Sequence, residues 1–147
     1  MRRVAVAVFL ALHGLVHGWY VVLSNGWVQA EDAMGWNGTS WLLSSLLTQE
    51  PILALASVVY AVVTIAFLAG AVGHWRRTEW ASGVLLAAAI LSTITLLVMW
   101  DGVATLLVEK GIVGVLINAA IVALLLRPPT TGDRRGVTAW LRSSRIK

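Results

Sequence analysis

Leu12-His13-Gly14-Leu15-Val16-His17-Gly18 puts two imidazoles one helical turn apart inside an apolar run from Val4 to about Leu23. The run is long enough to cross a hydrocarbon core, which takes about 20 helical residues. If lipid surrounds it, ionisable rings at that depth must turn toward neighbouring helices. The fold therefore depends on whether lipid is the solvent for the rest of the chain as well.

Composition says that it is. The 147 residues are 59% hydrophobic and 12% charged, with a mean hydropathy of +0.82. A soluble domain carries about 25% charged residues. Three further apolar runs follow, at about Pro51–Gly73, Ala81–Met99 and Val103–Leu126. The expected fold is an all-α integral membrane bundle of four transmembrane helices. Residues 1–126 form the membrane domain and residues 127–147 a basic tail. Pro51 suits a first helical position, and Arg127-Pro128-Pro129 stops the last helix. Arg2 and Arg3 ahead of an apolar run also describe a signal segment. The run's length, its two histidines and its Trp19-Tyr20 end favour a retained span.

Charge placement sets the expected orientation. Two Lys or Arg precede run one, two lie between runs two and three, and six follow run four, leaving Lys110 as the exception among eleven. The positive-inside rule then places both termini in the cytoplasm of a cell whose inner (plasma) membrane the chain crosses several times. The long Trp-rich loop from Ser24 to Glu50 falls outside. The Trp41–Leu47 stretch reads as a short helix lying flat at the interface. Trp19, Trp27, Trp36, Trp41, Trp75, Trp80 and Trp100 are expected in the interfacial belts. The net charge of +4 and the pI of about 10.4 do not point to nucleic acid. The cations sit at the ends of apolar runs, where anionic lipid headgroups match them. The tail, with Arg134, Arg135, Arg142, Arg145 and Lys147, reads either as a peripheral helix on such lipid or as an unstructured segment.

Depth along each run groups the polar residues. Counted from Arg3, His13 is ~15 Å deep and His17 ~21 Å. Counted back from Arg127, Asn118 is ~14 Å deep. Tyr60, Thr64, Ser92, Thr93 and Thr95 fall near mid-depth on runs two and three. One buried polar layer is expected, with His13, His17, Tyr60 and Asn118 as a ligand-binding or polar core. Run four is expected to dock on run one, Asn118 reaching His13. Gly14 with Gly18, and Gly111 with Gly114, are expected to allow close helix packing or a homodimer. Asp101, Glu109 and Lys110 cluster at the outer end, as a locally paired interfacial set or as the charged mouth of a path to the histidines.

Chemistry is less constrained. Cysteine is absent, which removes thiol redox chemistry and thiolate metal sites. No nucleophile elbow, phosphate loop or His-Glu-x-x-His motif occurs. The His pair reads as interhelical packing, as a proton relay or ligand contact, or as a metal or haem ligand pair. Two histidines one turn apart cannot take opposite axial positions on one haem, so haem would require a dimer. The leading expectation is a non-enzymatic accessory subunit, or a binder of a small apolar or protonatable ligand. The alternatives are a redox component or enzyme using the His pair with metal, haem or quinone, and a small dimeric transporter.

The order of features resembles a known group. A His-Gly-x-x-His first helix (His13, Gly14, His17), a Trp100-Asp101 turn after the third run and a Lys110…Gly111…Asn118 fourth run are similar to small four-helix bacterial inner-membrane proteins, loosely DoxX-like. The interval from Asp101 to Lys110 is longer than in that group. The resemblance implies a membrane protein and carries over no catalytic residue.

Overall fold

The computed structural model describes residues 1–28 and 35–127. The tail from Thr130 to Lys147, with its expected lipid contacts, lies outside the described residues. Four helices follow in order: α1 (Arg2–Ser24), α2 (Gln49–Arg76), α3 (Ala81–Val98) and α4 (Ile112–Leu125). The described residues contain no strand. α1, α2 and α3 are long and apolar enough to span a membrane.

The chain runs up and down. As α1 advances through Gly14, Tyr20 and Asn25, it meets Phe67, Tyr60 and Ser57 of α2. Gly70 of α2 lies against Leu85, and Gly73 against Trp80, through a tight turn whose Arg77 takes a left-handed φ of 64°. On α3 and α4, Ser92 faces Asn118 and Leu96 faces Gly111 and Gly114. Arg2, Arg3, Arg76, Arg77 and Arg127 therefore share one end of the molecule. The first loop, Asp101 and Lys110 share the other.

Polarity is inverted relative to a soluble protein. His13, His17, Ser92, Thr95 and Asn118 are buried, whereas Leu12, Leu15, Val58, Ile65, Ile94 and Leu116 are each more than half exposed. An apolar surface that covers every helix requires an apolar medium. The interior contains two apolar clusters. One, toward the arginine end, is built on Leu10, Val63, Phe67, Leu85 and Ile121. The other, toward the loop end, is built on Tyr20, Trp36, Ile52, Tyr60, Leu96 and Met99. The polar layer lies between them.

Two expectations need correction. Run four does not begin a helix at Val103. Residues 105–111 form an irregular turn with left-handed φ at Leu106 (56°) and Gly111 (95°), and α4 starts at Ile112. The cause is local. Lys110 Nζ is held 2.6 Å from Asp101 Oδ2 and donates to the Val103 carbonyl, folding the segment back onto the end of α3. Only glycine fits at 111, where a Cβ would stand 2.9 Å from Leu96 and 3.1 Å from the Tyr20 hydroxyl. The 14 residues of α4 cover ~21 Å, short of a ~30 Å core. The other correction concerns the first loop, where Trp41–Leu46 is a turn rather than a flat helix. It caps α3: Ser40 Oγ donates to Val98 O (2.5 Å), Trp41 Nε1 to Leu97 O (2.8 Å) and Trp41 N to Trp100 O (2.7 Å). Those are carbonyls that a helix C-terminus leaves without intrahelical donors.

The glycines of α1 face α2. A Cβ on Gly14 would lie 2.6 Å from Phe67 Cβ, whereas one on Gly18 would meet nothing closer than 3.9 Å. Gly14→Val should therefore destabilise the protein by about 1–3 kcal/mol through overpacking, and Gly18→Ala should stay within about 0.5 kcal/mol of the parent. Thermal unfolding in detergent, followed by helical circular dichroism, checks the contrast.

Candidate functional site

On α1 the buried positions are Leu10, His13, Gly14, His17, Tyr20, Leu23 and Ser24, a stripe with three- and four-residue spacing. That spacing turns both imidazoles inward. They are 6% and 1% exposed. α3 contributes Ser92 and α4 contributes Asn118, both fully buried.

These four side chains form one hydrogen-bonded chain. His13 Nε2 lies 2.8 Å from Asn118 Oδ1, Asn118 Nδ2 lies 2.8 Å from Ser92 Oγ, and Ser92 Oγ lies 3.0 Å from His17 Nε2. The amide fixes the direction of donation, since its oxygen only accepts and its nitrogen only donates. His13 therefore donates from Nε2 to Asn118 and Asn118 donates to Ser92, while the Ser92 hydroxyl, with one hydrogen and two lone pairs, donates to His17 Nε2 or accepts from it according to the His17 tautomer. His17 Nδ1 is buried without a hydrogen-bond partner among the described residues. Leaving that nitrogen unpaired costs about 1–3 kcal/mol in either tautomer. The His17 ring stacks on Phe67 at 5.7 Å and on Tyr60 at 6.2 Å, and His13 meets Phe67 edge-on at 4.9 Å.

Not every polar residue of this layer joins the chain. Thr64, Thr93 and Thr95 each donate to the carbonyl four residues back on their own helix, a common way to satisfy a hydroxyl inside a helix. Tyr60 contributes by stacking. Ser92 is the central link that the expected site set lacks, although its depth matched that of the histidines. Trp36 had no sequence signal. It was expected in an interfacial belt, but the loop carries it inward to 6% exposure, where it meets Tyr60 edge-on at 6.4 Å.

A cleft of about 180 Å³ opens beside the chain. Its polar lining comes from His13, His17, Tyr20 and Glu109, and its apolar lining from α1, α3 and α4. The rim residues Val16, Val108 and Val113 are exposed, so the opening faces the apolar side of the bundle. Gly111 and Gly114 line the same cleft. Asn118 thus reaches His13 across a gap between α1 and α4 rather than through a tight helix seam.

The charges at the loop end form a separate basin of about 230 Å³, lined by Trp36, Asn37, Asp101, Thr105, Leu106 and Lys110 among others. The Asp101 and Lys110 side chains are only 11% and 12% exposed. Glu109 is exposed and takes no part in this pair. Burial alone would raise the Asp101 carboxyl. Its hydrogen bond from Lys110, that from the Val103 N–H and the Lys110 charge outweigh burial and hold it below the usual carboxylate range. Between this basin and His17 stand Tyr20, Trp36 and Tyr60, with a void of about 10 Å³. That is scarcely room for one water molecule. The aromatic rings close the path from the mouth to the histidines.

Chemically, the arrangement holds more readily than it reacts. Ser92 and His17 have the spacing of a nucleophile and base, yet Ser92 is fully buried and His17 Nδ1 has no orienting partner, whereas acyl transfer requires an accessible nucleophile and an oriented base. Both histidine Nε2 atoms are committed to hydrogen bonds. Among the described residues, no three His, Cys, Asp or Glu side chains cluster as a metal site. Neither a family model, nor a curated protein, nor a solved structure matches the chain.

Two outcomes follow from this geometry. In a double-mutant cycle of His13→Phe and Asn118→Leu, the coupling energy should be about 0.6–2 kcal/mol, the range for hydrogen bonds inside membrane bundles. Asp101 is depressed in the folded state, so its ion pair stabilises the protein above the unfolded carboxyl value of about 4 and loses that contribution as pH falls below it. The stability difference between the parent and Lys110→Met, read from unfolding midpoints, should be constant from about pH 7 to 5 and shrink from about pH 4 downward.

Proposed function

We propose that the chain is a non-enzymatic protein of the inner membrane that binds a small, largely apolar ligand in the cleft between α1 and α4. His13, His17 and Tyr20 supply the polar contacts. In this reading α4 and the turn at residues 103–111 together complete a fourth crossing, with both termini on the cytoplasmic side. The concentration of arginines at one end of the bundle supports that orientation. The DoxX-like kinship belongs to the same proposal and rests on the order of His13, Gly14, His17, Asp101, Lys110 and Asn118.

One observation carries the ligand reading. A concavity of about 180 Å³ sets both imidazoles, with Tyr20 and Glu109, in a mostly apolar wall and opens toward the lipid-facing surface. An engineered apolar cavity of about 150 Å³ in another protein holds benzene, so this cleft suits a single ring bearing one hydrogen-bonding group. The aromatic closure at Tyr20, Trp36 and Tyr60 favours entry from the bilayer over entry from water. A redox role is the second reading, because a quinone head is also a single ring with hydrogen-bond acceptors. Ligation of metal or haem has less support, given that Asn118 and Ser92 occupy both Nε2 atoms.

The probes are p-cresol and toluene, added to purified protein in nonionic detergent during thermal unfolding. A ligand present at ten times its dissociation constant stabilises the native state by about 1.4 kcal/mol. p-Cresol should raise the midpoint more than toluene, and Val113→Trp, which fills the rim, should abolish the difference. Equal shifts from both probes, or an undiminished p-cresol shift in the filled variant, would contradict the reading.

A further inference from the structure

A second concavity lies at the opposite end of the bundle. α1 and α2 pack closely at Gly14 and Phe67. Between that contact and the arginine end, a groove of about 260 Å³ runs along both helices. Its walls are Val4, Ala7, Val8 and Ala11 on α1, and Leu68, Ala71, Val72 and Trp75 on α2. No lining residue is charged. Its α1 lining covers ~10 Å of helix axis. The small side chains of Ala7, Ala11 and Ala71 make the surface concave.

The ends of the lining are what select an occupant. Val4 is followed outward by Arg3 and Arg2, and Trp75 by Arg76 and Arg77, all of them exposed. The two helices that wall the slot thus each carry two exposed arginines just beyond it. We propose that this groove holds an acyl chain of an anionic phospholipid, with the phosphate seated between Arg3 and Arg76. Basic pockets between membrane helices bind anionic headgroups in this manner, and Trp75 stands at the level where an indole meets the headgroup region. The same cations disfavour other occupants. Residues 130–147 carry five Lys or Arg against one acidic residue, Asp133, so the chain's own tail would be repelled. A second copy packed groove to groove would bring eight arginines together.

Native mass spectrometry of the full chain, released from nonionic micelles, tests the proposal with dimyristoyl-phosphatidylglycerol and dimyristoyl-phosphatidylcholine as probes. The parent should retain one phosphatidylglycerol per chain in preference to phosphatidylcholine. Each arginine near an anionic headgroup is worth about fivefold in binding. Arg3→Gln with Arg76→Gln should therefore weaken retention by roughly 25-fold. Val8→Trp, which fills the groove from its exposed wall, should abolish the preference for the anionic lipid. Arg127→Gln, which removes a cation beyond α4, should leave it unchanged. Equal retention of the two lipids, an Arg127→Gln loss matching that of the groove arginines, an unaffected Val8→Trp variant, or dimers in place of lipid-bound monomers would each overturn it.

Discussion

A hydrogen bond between two side chains gains little in water but is among the few directional contacts available inside hydrocarbon. The chain from His13 through Asn118 and Ser92 to His17 is that contact here. Its weight is clearest in α4, where only Asn118 and Ile121 are buried. Val115, Ile117, Val122 and Leu125 pack in part against the two apolar clusters, and the outer face of that helix presents apolar surface that lipid solvates as well as another helix would. One amide supplies the directional contact of α4, bonding to α1 on one side and to α3 on the other.

Other constraints act around this one. Gly14 brings α1 onto α2 and so fixes the plane in which both imidazoles stand. The first loop spends its Ser and Trp donors on the last carbonyls of α3 and leaves Trp36 as a plug over Tyr60. The Asp101–Lys110 pair ends the backbone excursion that starts α4 late. The result is a bundle with three tight seams and one loose one. The candidate ligand cleft lies in the loose seam, because there a single polar contact substitutes for packing.

Much of this was legible in the residues. Three of the apolar runs became long helices because their length and composition leave no other state in lipid. The approach of Asn118 to His13 was legible because the two lie at nearly equal depth from arginines at the same end. Three features were hidden, each for a physical reason. Gly14 could pack on any neighbour, and spacing alone does not choose between α2 and α4. Hydroxyls at the right depth could bond across helices or back to their own carbonyls; Ser92 did the first and Thr64, Thr93 and Thr95 the second. The burial of Trp36 depends on a loop that folds back over the bundle, which no periodicity encodes. The late start of α4 was half visible, since Glu109-Lys110-Gly111 interrupts its run, but the pull of Asp101 on Lys110 is a tertiary effect.

The chain contains three histidines, and the third, His74, lies at the arginine end of α2. Side-chain nitrogen NMR of histidine-labelled protein in lipid nanodiscs therefore reads the polar layer directly, with His74 as an internal reference. The account predicts a single tautomer at each ring, with the proton of His13 on Nε2, and exchange with water far slower than at His74. Rings at 13 and 17 that average between tautomers and exchange as quickly as His74 would contradict it, because imidazoles open to water cannot be the link that holds α4 to its neighbours.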